Sequence, residues 1–148
     1  KDLSDQQKWG CFLACALMLG EPSVIRAFEH ETNGKLSDGA KSAARSVVAL
    51  MAMNTTYYRA VNLLDHREYR APPIGLSMDA LSHPAIEKID FELWSFALAA
   101  IAGCGACLNA HETQLHNHGV DVDTILAALR IAAVMQSVSV VVRGERKQ

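Results

Sequence analysis
Apolar residues recur along this chain at helical rather than alternating spacing, and capping residues and glycines divide the pattern into segments. Ser4 or Asp5 is a good N-cap for a first helix, "DQQKWGCFLACALML", which Gly20 and Pro22 stop. Ser23 is then expected to cap "VIRAFEHE", which Asn33 and Gly34 end. From Ser37 to about Leu64, Ala43, Val47, Leu50, Met51 and Tyr58 fall at helical spacings and predict one long, well-buried helix. Pro72, Pro73 and Gly75 mark a connector, and a short helix is expected from Leu76 to Leu81, stopped by His83 and Pro84.

Asp90 reads as the cap of "FELWSFALAAIAG", with Glu92 in the first turn, where a negative charge suits the helix dipole. Gly103 ends that segment with a tight turn, a new helix starts near Cys104, and Gly119 stops it. Asp121 or Asp123 caps the last helix, "TILAALRIAAVMQSVSVVV", and "RGERKQ" is expected to be a frayed tail. The run "SVSVVV" has strand propensity, but it continues a helical Ala/Val pattern and has no partner strand. The expected fold class is all-α.

A faint internal repeat is present. "HET" occurs at 30–32 and again at 111–113, each time before a break and a long helix. A shift of 84 aligns Ala43, Ala44, Ala49 and Met51 with Ala127, Ala128, Ala133 and Met135, and Trp9 and Trp94 precede the two "HET" copies. These features suit two related helical halves packed together, one within 1–70 and one within 85–143, of which the second alone carries a cysteine pair.

Composition supports this picture. A chain of 148 residues is the size of one domain able to bury a core without staples, so residues 1–148 are expected to form a single unit. Half the residues are hydrophobic but only 6% are aromatic, and Ala, Leu, Val and Met carry most of the apolar content, which favours helices. The net charge of -2 arises from interspersed acidic and basic residues, so nucleic acid and anionic membrane are not expected partners. Ser95, Gly103 and Asn109 interrupt the longest apolar candidate, so no stretch is expected to reach the roughly 18 residues of a membrane span. No segment reads as a secretory signal, and a cytoplasmic location is the expectation. Because the chain begins at Lys1 rather than Met, some of the native N-terminus is expected to be missing.

The candidate chemistry lies in "IAGCGACLNAHE". On a helix, Cys104, Cys107 and His111 are i, i+3 and i+7 and share one face. With Cys104 in the opening turn, the two thiols are close enough to form a disulfide, and the helix N-terminus favours a thiolate. His111 is one turn beyond Cys107, placed to take a thiol proton and return it to a leaving oxygen. Glu92, twelve residues before Cys104, is expected to fold back over the site and orient or charge the imidazole. The resulting Glu–His–Cys relay with a second Cys is what a peroxide-reducing thiol needs.

Two other readings stay open. Plain packing is one, although Gly105 and Ala106 in the gap keep the thiols open to approach. Zinc is the other, with His111 and either Glu112 or His116 completing the ligands, although no second pair of knuckle spacing exists. A c-type haem site needs His where Leu108 stands, and "HETQL" lacks the second His of a zinc protease. Cys11 and Cys15 read as core residues, His116 and His118 as surface residues or caps, and His30 and His83 have no partner pattern. Phe91 and Trp94 flank Glu92 and are candidates either to wall the site or to fill the core.

The stretch "FELWSFALAAIAGCGACLNAHE" resembles the alkylhydroperoxidase AhpD family, and the likeness runs from "QQKWG" through "MAMNTTYYR" to the last helix. The resemblance implies an all-helical fold of two related halves that assembles as homotrimers or larger rings. It also implies a thiol peroxidase for organic hydroperoxides with no tightly bound cofactor or metal. Such an enzyme also reduces an AhpC-type peroxiredoxin and is itself re-reduced by dihydrolipoyl groups of a dehydrogenase component. Cys107 would then be the peroxidatic thiol, Cys104 the more exposed resolving thiol and disulfide partner, and His111 with Glu92 the proton relay. Some members have His immediately before the second Cys, where this chain has Ala106, which predicts a shorter relay or weaker peroxidase activity. The alternatives are a carboxymuconolactone-decarboxylase-like enzyme, which would not need the thiols, a general disulfide reductase, and a zinc-stabilised interaction module.

Overall fold
The structure, a computed structural model, describes residues 3–77 and 85–145. Its helices are α1 (Asp5–Leu19), α2 (Pro22–Glu31), α3 (Asp38–Leu63), α4 (Lys88–Ala102), α5 (Gly105–Asn117) and α6 (Val122–Glu145), with a 3-10 turn at Arg67–Arg70. No strand longer than an isolated bridge occurs among the described residues, so the all-α expectation is met.

The local signals act largely as read. Ser4 closes a capping box with Gln7, Ser37 caps α3 through the Ala40 N–H, and Asp121 accepts from the Thr124 N–H to open α6. Gly20 and Gly103 end α1 and α4 in the left-handed conformation, at φ 77° and 69°. The "SVSVVV" run is helical.

Other expectations change. The cap of α2 is Glu21, whose carboxylate accepts from the Ser23 N–H, and not Ser23; Pro22 takes the first helical position, where its fixed φ and missing N–H suit it. Helix α4 starts before Asp90, which is buried in the first turn and accepts a 2.6 Å hydrogen bond from Gln6 Nε2. Glu92 lies beyond the first turn and faces the interior rather than the helix end. The tail "RGE" remains helical through Glu145. Leu76 and Ser77 are not helical, and the rest of the short helix expected there, with His83, lies outside the described residues. Tyr58 is 37% exposed, so α3 is buried along its first turns but not its last.

The core centres on α4, buried from Glu92 to Ala99 and packed against α1, α3, α5 and α6. Alanines at 14, 16, 40, 43, 44, 97, 99, 128 and 132 line these contacts and let the helix axes approach closely. Trp94 is fully buried over Gly10, and its indole N–H donates to the Gln7 carbonyl at 3.2 Å, so α1 and α4 are held by both packing and a hydrogen bond. Cys11 and Cys15 lie in this core as free thiols; the hydrogen bond and charge of Cys11 and burial all push the Cys15 thiol up.

Helix α6 corrects one expectation. An 18-residue window within it has a mean hydropathy of 2.1, enough by length and composition to cross a membrane. Here Ile125, Ala128, Ile131, Ala132 and Met135 bury one face against the bundle, and Val134, Val138, Val140 and Val141 remain exposed.

The helix order repeats. Helices of 15, 10 and 26 residues are followed by helices of 15, 13 and 24. The left-handed glycines at 20 and 103 align the repeats so that Trp9, Glu21, Val24 and Phe28 correspond to Glu92, Cys104, Cys107 and His111. Trp9, Phe12 and Phe28 form an aromatic cluster on the first half, while the corresponding region of the second half holds acid, thiols and imidazole.

Candidate active site
The turn at Gly103 reverses the chain from α4 into α5, so residues on α4 face residues on α5 across a short connection. Cys104 is the N-cap of α5, and its sulfur accepts from the Cys107 N–H at 3.3 Å. The Cys104 and Cys107 sulfurs are bonded as a disulfide across Cα atoms 5.3 Å apart. When reduced, either thiolate would sit against the unpaired amides of the helix start, which stabilise negative charge there.

One turn further on, His111 Nδ1 lies 2.7 Å from Glu92 Oε1, and Lys88 Nζ lies 3.3 Å from the other carboxylate oxygen. Glu92 is only 2% exposed. Burial raises its pKa, but the hydrogen bond and charge of His111 and the charge of Lys88 outweigh this and hold it below the usual glutamate value. A buried carboxylate held ionised against one imidazole nitrogen leaves Nε2 as the working face of His111. Phe91 meets the ring edge-on, with centroids 6.4 Å apart. Phe91 thus packs on the imidazole and against the core without lining the adjoining cavity, and Trp94 belongs to the core.

A cavity of about 370 Å³ opens onto this arrangement, lined by Asn54, Tyr58, Ala106, Cys107, Ala110 and His111. Cys107 and His111 both face it, as their shared helix face predicts. Cys104 does not, and it is 0% exposed against 6% for Cys107, which reverses the expected order of exposure. The cause is its N-cap role, which folds the Cys104 side chain back over the first turn. Ala106 lines the cavity where a histidine would narrow it.

Sequence reasoning assigned no site role to Asn54 and placed Tyr58 in the core. Both come from α3, and their i, i+4 spacing was the available signal that they share a face. Glu112 and His116 pair with each other at 3.5 Å, and among the described residues no three acidic, Cys or His side chains cluster as metal ligands would. His118 caps the Gln114 carbonyl, and His30 is exposed.

The site is thus a Cys-x-x-Cys disulfide at a helix start in an all-helical bundle, next to a buried carboxylate–imidazole pair. Residues 67–144 match the model of the carboxymuconolactone decarboxylase family. The chain is also 48% identical to an alkyl hydroperoxide reductase AhpD of Hyphomonas neptunium over 97% of this chain and 79% of that protein. It is 44% identical to one of Maricaulis maris and 46% identical to one of Streptomyces griseus, covering 97% of this chain and 83% and 81% of theirs. The chain belongs to the AhpD family, within the carboxymuconolactone decarboxylase superfamily.

Proposed function
We propose that this chain is a dithiol peroxidase that reduces organic hydroperoxides through Cys104 and Cys107. The observation that carries the reading is the disulfide whose Cys107 member lines a cavity together with His111, itself fixed by Glu92. Relatives named alkyl hydroperoxide reductase support the substrate class.

In the reduced protein the Cys107 thiolate attacks the terminal oxygen of the hydroperoxide. The O–O bond breaks, the alkoxide takes a proton from His111, and Cys107 becomes a sulfenic acid. Glu92 holds the imidazole and balances the charge that it carries between proton transfers. Cys104 then attacks the Cys107 sulfur, water leaves and the disulfide forms. This step is intramolecular, so burial of Cys104 does not impede it.

A dithiol donor returns the pair to the reduced state and is itself oxidised to a disulfide. Dihydrolipoyl groups of a dehydrogenase component are the proposed donor and an AhpC-type peroxiredoxin the proposed second acceptor, in a cytoplasmic homotrimer or a multiple of it. Family membership supports these assignments, and the exposed valines of α6 offer apolar surface for self-association. Stopped-flow reduction of the oxidised protein by dihydrolipoamide tests the donor. Rapid reduction is expected; indifference to dihydrolipoamide with fast reduction by a thioredoxin would reassign it.

A further inference from the structure
The segment "MAMNTTYYR" of α3 takes no part in the thiol chemistry above, yet it supplies Asn54 and Tyr58 to the cavity over Cys107. The carboxamide oxygen of Asn54 is buried and has no hydrogen-bond partner. Such an oxygen costs stability, and an unpaired polar group on a residue that shares a cavity with a cysteine sulfur marks a position kept for a ligand.

We propose that Asn54 orients the hydroperoxide over Cys107; this rests on the peroxidase reading of the site. A terminal –O–O–H group both donates and accepts, and a carboxamide does the same. Turned into the cavity that Asn54 lines, the carboxamide oxygen accepts from the substrate O–H and the NH2 donates to the inner oxygen. When the Cys107 sulfur bonds to the terminal oxygen, the O–O electron pair departs on that inner oxygen. The sulfur is oxidised by two electrons, the alkoxide is protonated from His111, and Asn54 neither gains nor loses a proton. A donor held against the departing oxygen strengthens as charge develops there.

Thiol–disulfide exchange at the same sulfurs presents no hydroperoxide. Asn54 therefore confers specificity on one half-reaction and leaves the other alone, which sets it apart from a residue that merely supports the fold. The test uses the full chain with Asn54→Ala and Asn54→Ser and compares three rates. These are oxidation of the reduced protein by cumene hydroperoxide, reduction of the disulfide by dithiothreitol, and alkylation of the reduced protein by iodoacetamide.

For Asn54→Ala the first rate is expected to fall by about tenfold or more, with the other two within about twofold of the parent and the melting temperature unchanged or higher. Asn54→Ser, which keeps a donor and an acceptor, should recover part of the loss. An unchanged peroxide rate, or a parallel fall in all three, would overturn the assignment to Asn54 while leaving the peroxidase reading intact. A parent protein that does not consume hydroperoxide would overturn both.

Discussion

Replacing Glu92 by Gln keeps the shape of the side chain but removes the charge opposite His111. The carboxylate is 2% exposed and lies 2.7 Å from Nδ1, so water cannot substitute for it. Two unit charges 4 Å apart attract by about 4 kcal/mol at an effective dielectric of 20, and desolvation offsets part of this. A charge-assisted hydrogen bond contributes about 1.5–3 kcal/mol net. Taking about 2 kcal/mol as the loss at the transition state, where His111 handles the proton, the rate of Cys107 oxidation should fall about thirtyfold. Lys88, 55% exposed, turns to solvent at little cost. Stopped-flow oxidation of the reduced protein by an organic hydroperoxide measures the effect, and a double-mutant cycle with His111→Asn localises it. The two losses should be strongly non-additive, because Glu92 acts through His111. A Glu92→Gln rate within about twofold of the parent, or losses that simply add, would refute the relay.

Acid should weaken the fold through the same residue. The lowered Glu92 pKa means that its stabilising contribution is present above the ordinary glutamate value of about 4.3 and is lost as pH falls through the lowered value. The stability gap between the parent and Glu92→Gln, measured by urea denaturation, should therefore narrow below about pH 4. Gly10→Ala would place a Cβ inside the ring of Trp94 and should cost about 1–3 kcal/mol or more, with a changed tryptophan emission spectrum. Ser4→Ala removes the Oγ that accepts from the Gln7 N–H, while the backbone N–H of residue 4 still donates to Gln7 Oε1, and should cost about 1 kcal/mol in thermal denaturation without altering thiol reactivity.

The helices were legible because their ends are written locally. Ser4, Ser37 and Asp121 cap, and Gly20 and Gly103 turn, through contacts within a few residues. The pairing of Cys104, Cys107 and His111 followed from helix periodicity for the same reason. Where reading failed, a side chain was committed to a distant partner. Asp90 looks like a cap but is held by Gln6, 84 positions away. Glu92 meets His111 as the sequence predicts, but from beyond the first turn rather than within it. The contribution of Asn54 and Tyr58 depends on how α3 packs on α5, which no local pattern encodes. The burial of Cys104 likewise depends on its cap geometry rather than on its place in the motif.

The central claim is that Cys107 is the thiol that meets peroxide and Cys104 the one that closes the disulfide. Trapping with dimedone during exposure to one equivalent of organic hydroperoxide, read by peptide mass spectrometry, tests it directly. Cys104→Ser should accumulate a dimedone adduct at Cys107, Cys107→Ser should consume no peroxide, and the parent should lose two hydrogens as the disulfide forms. An adduct at Cys104 in Cys107→Ser, with peroxide consumption intact, would contradict the account.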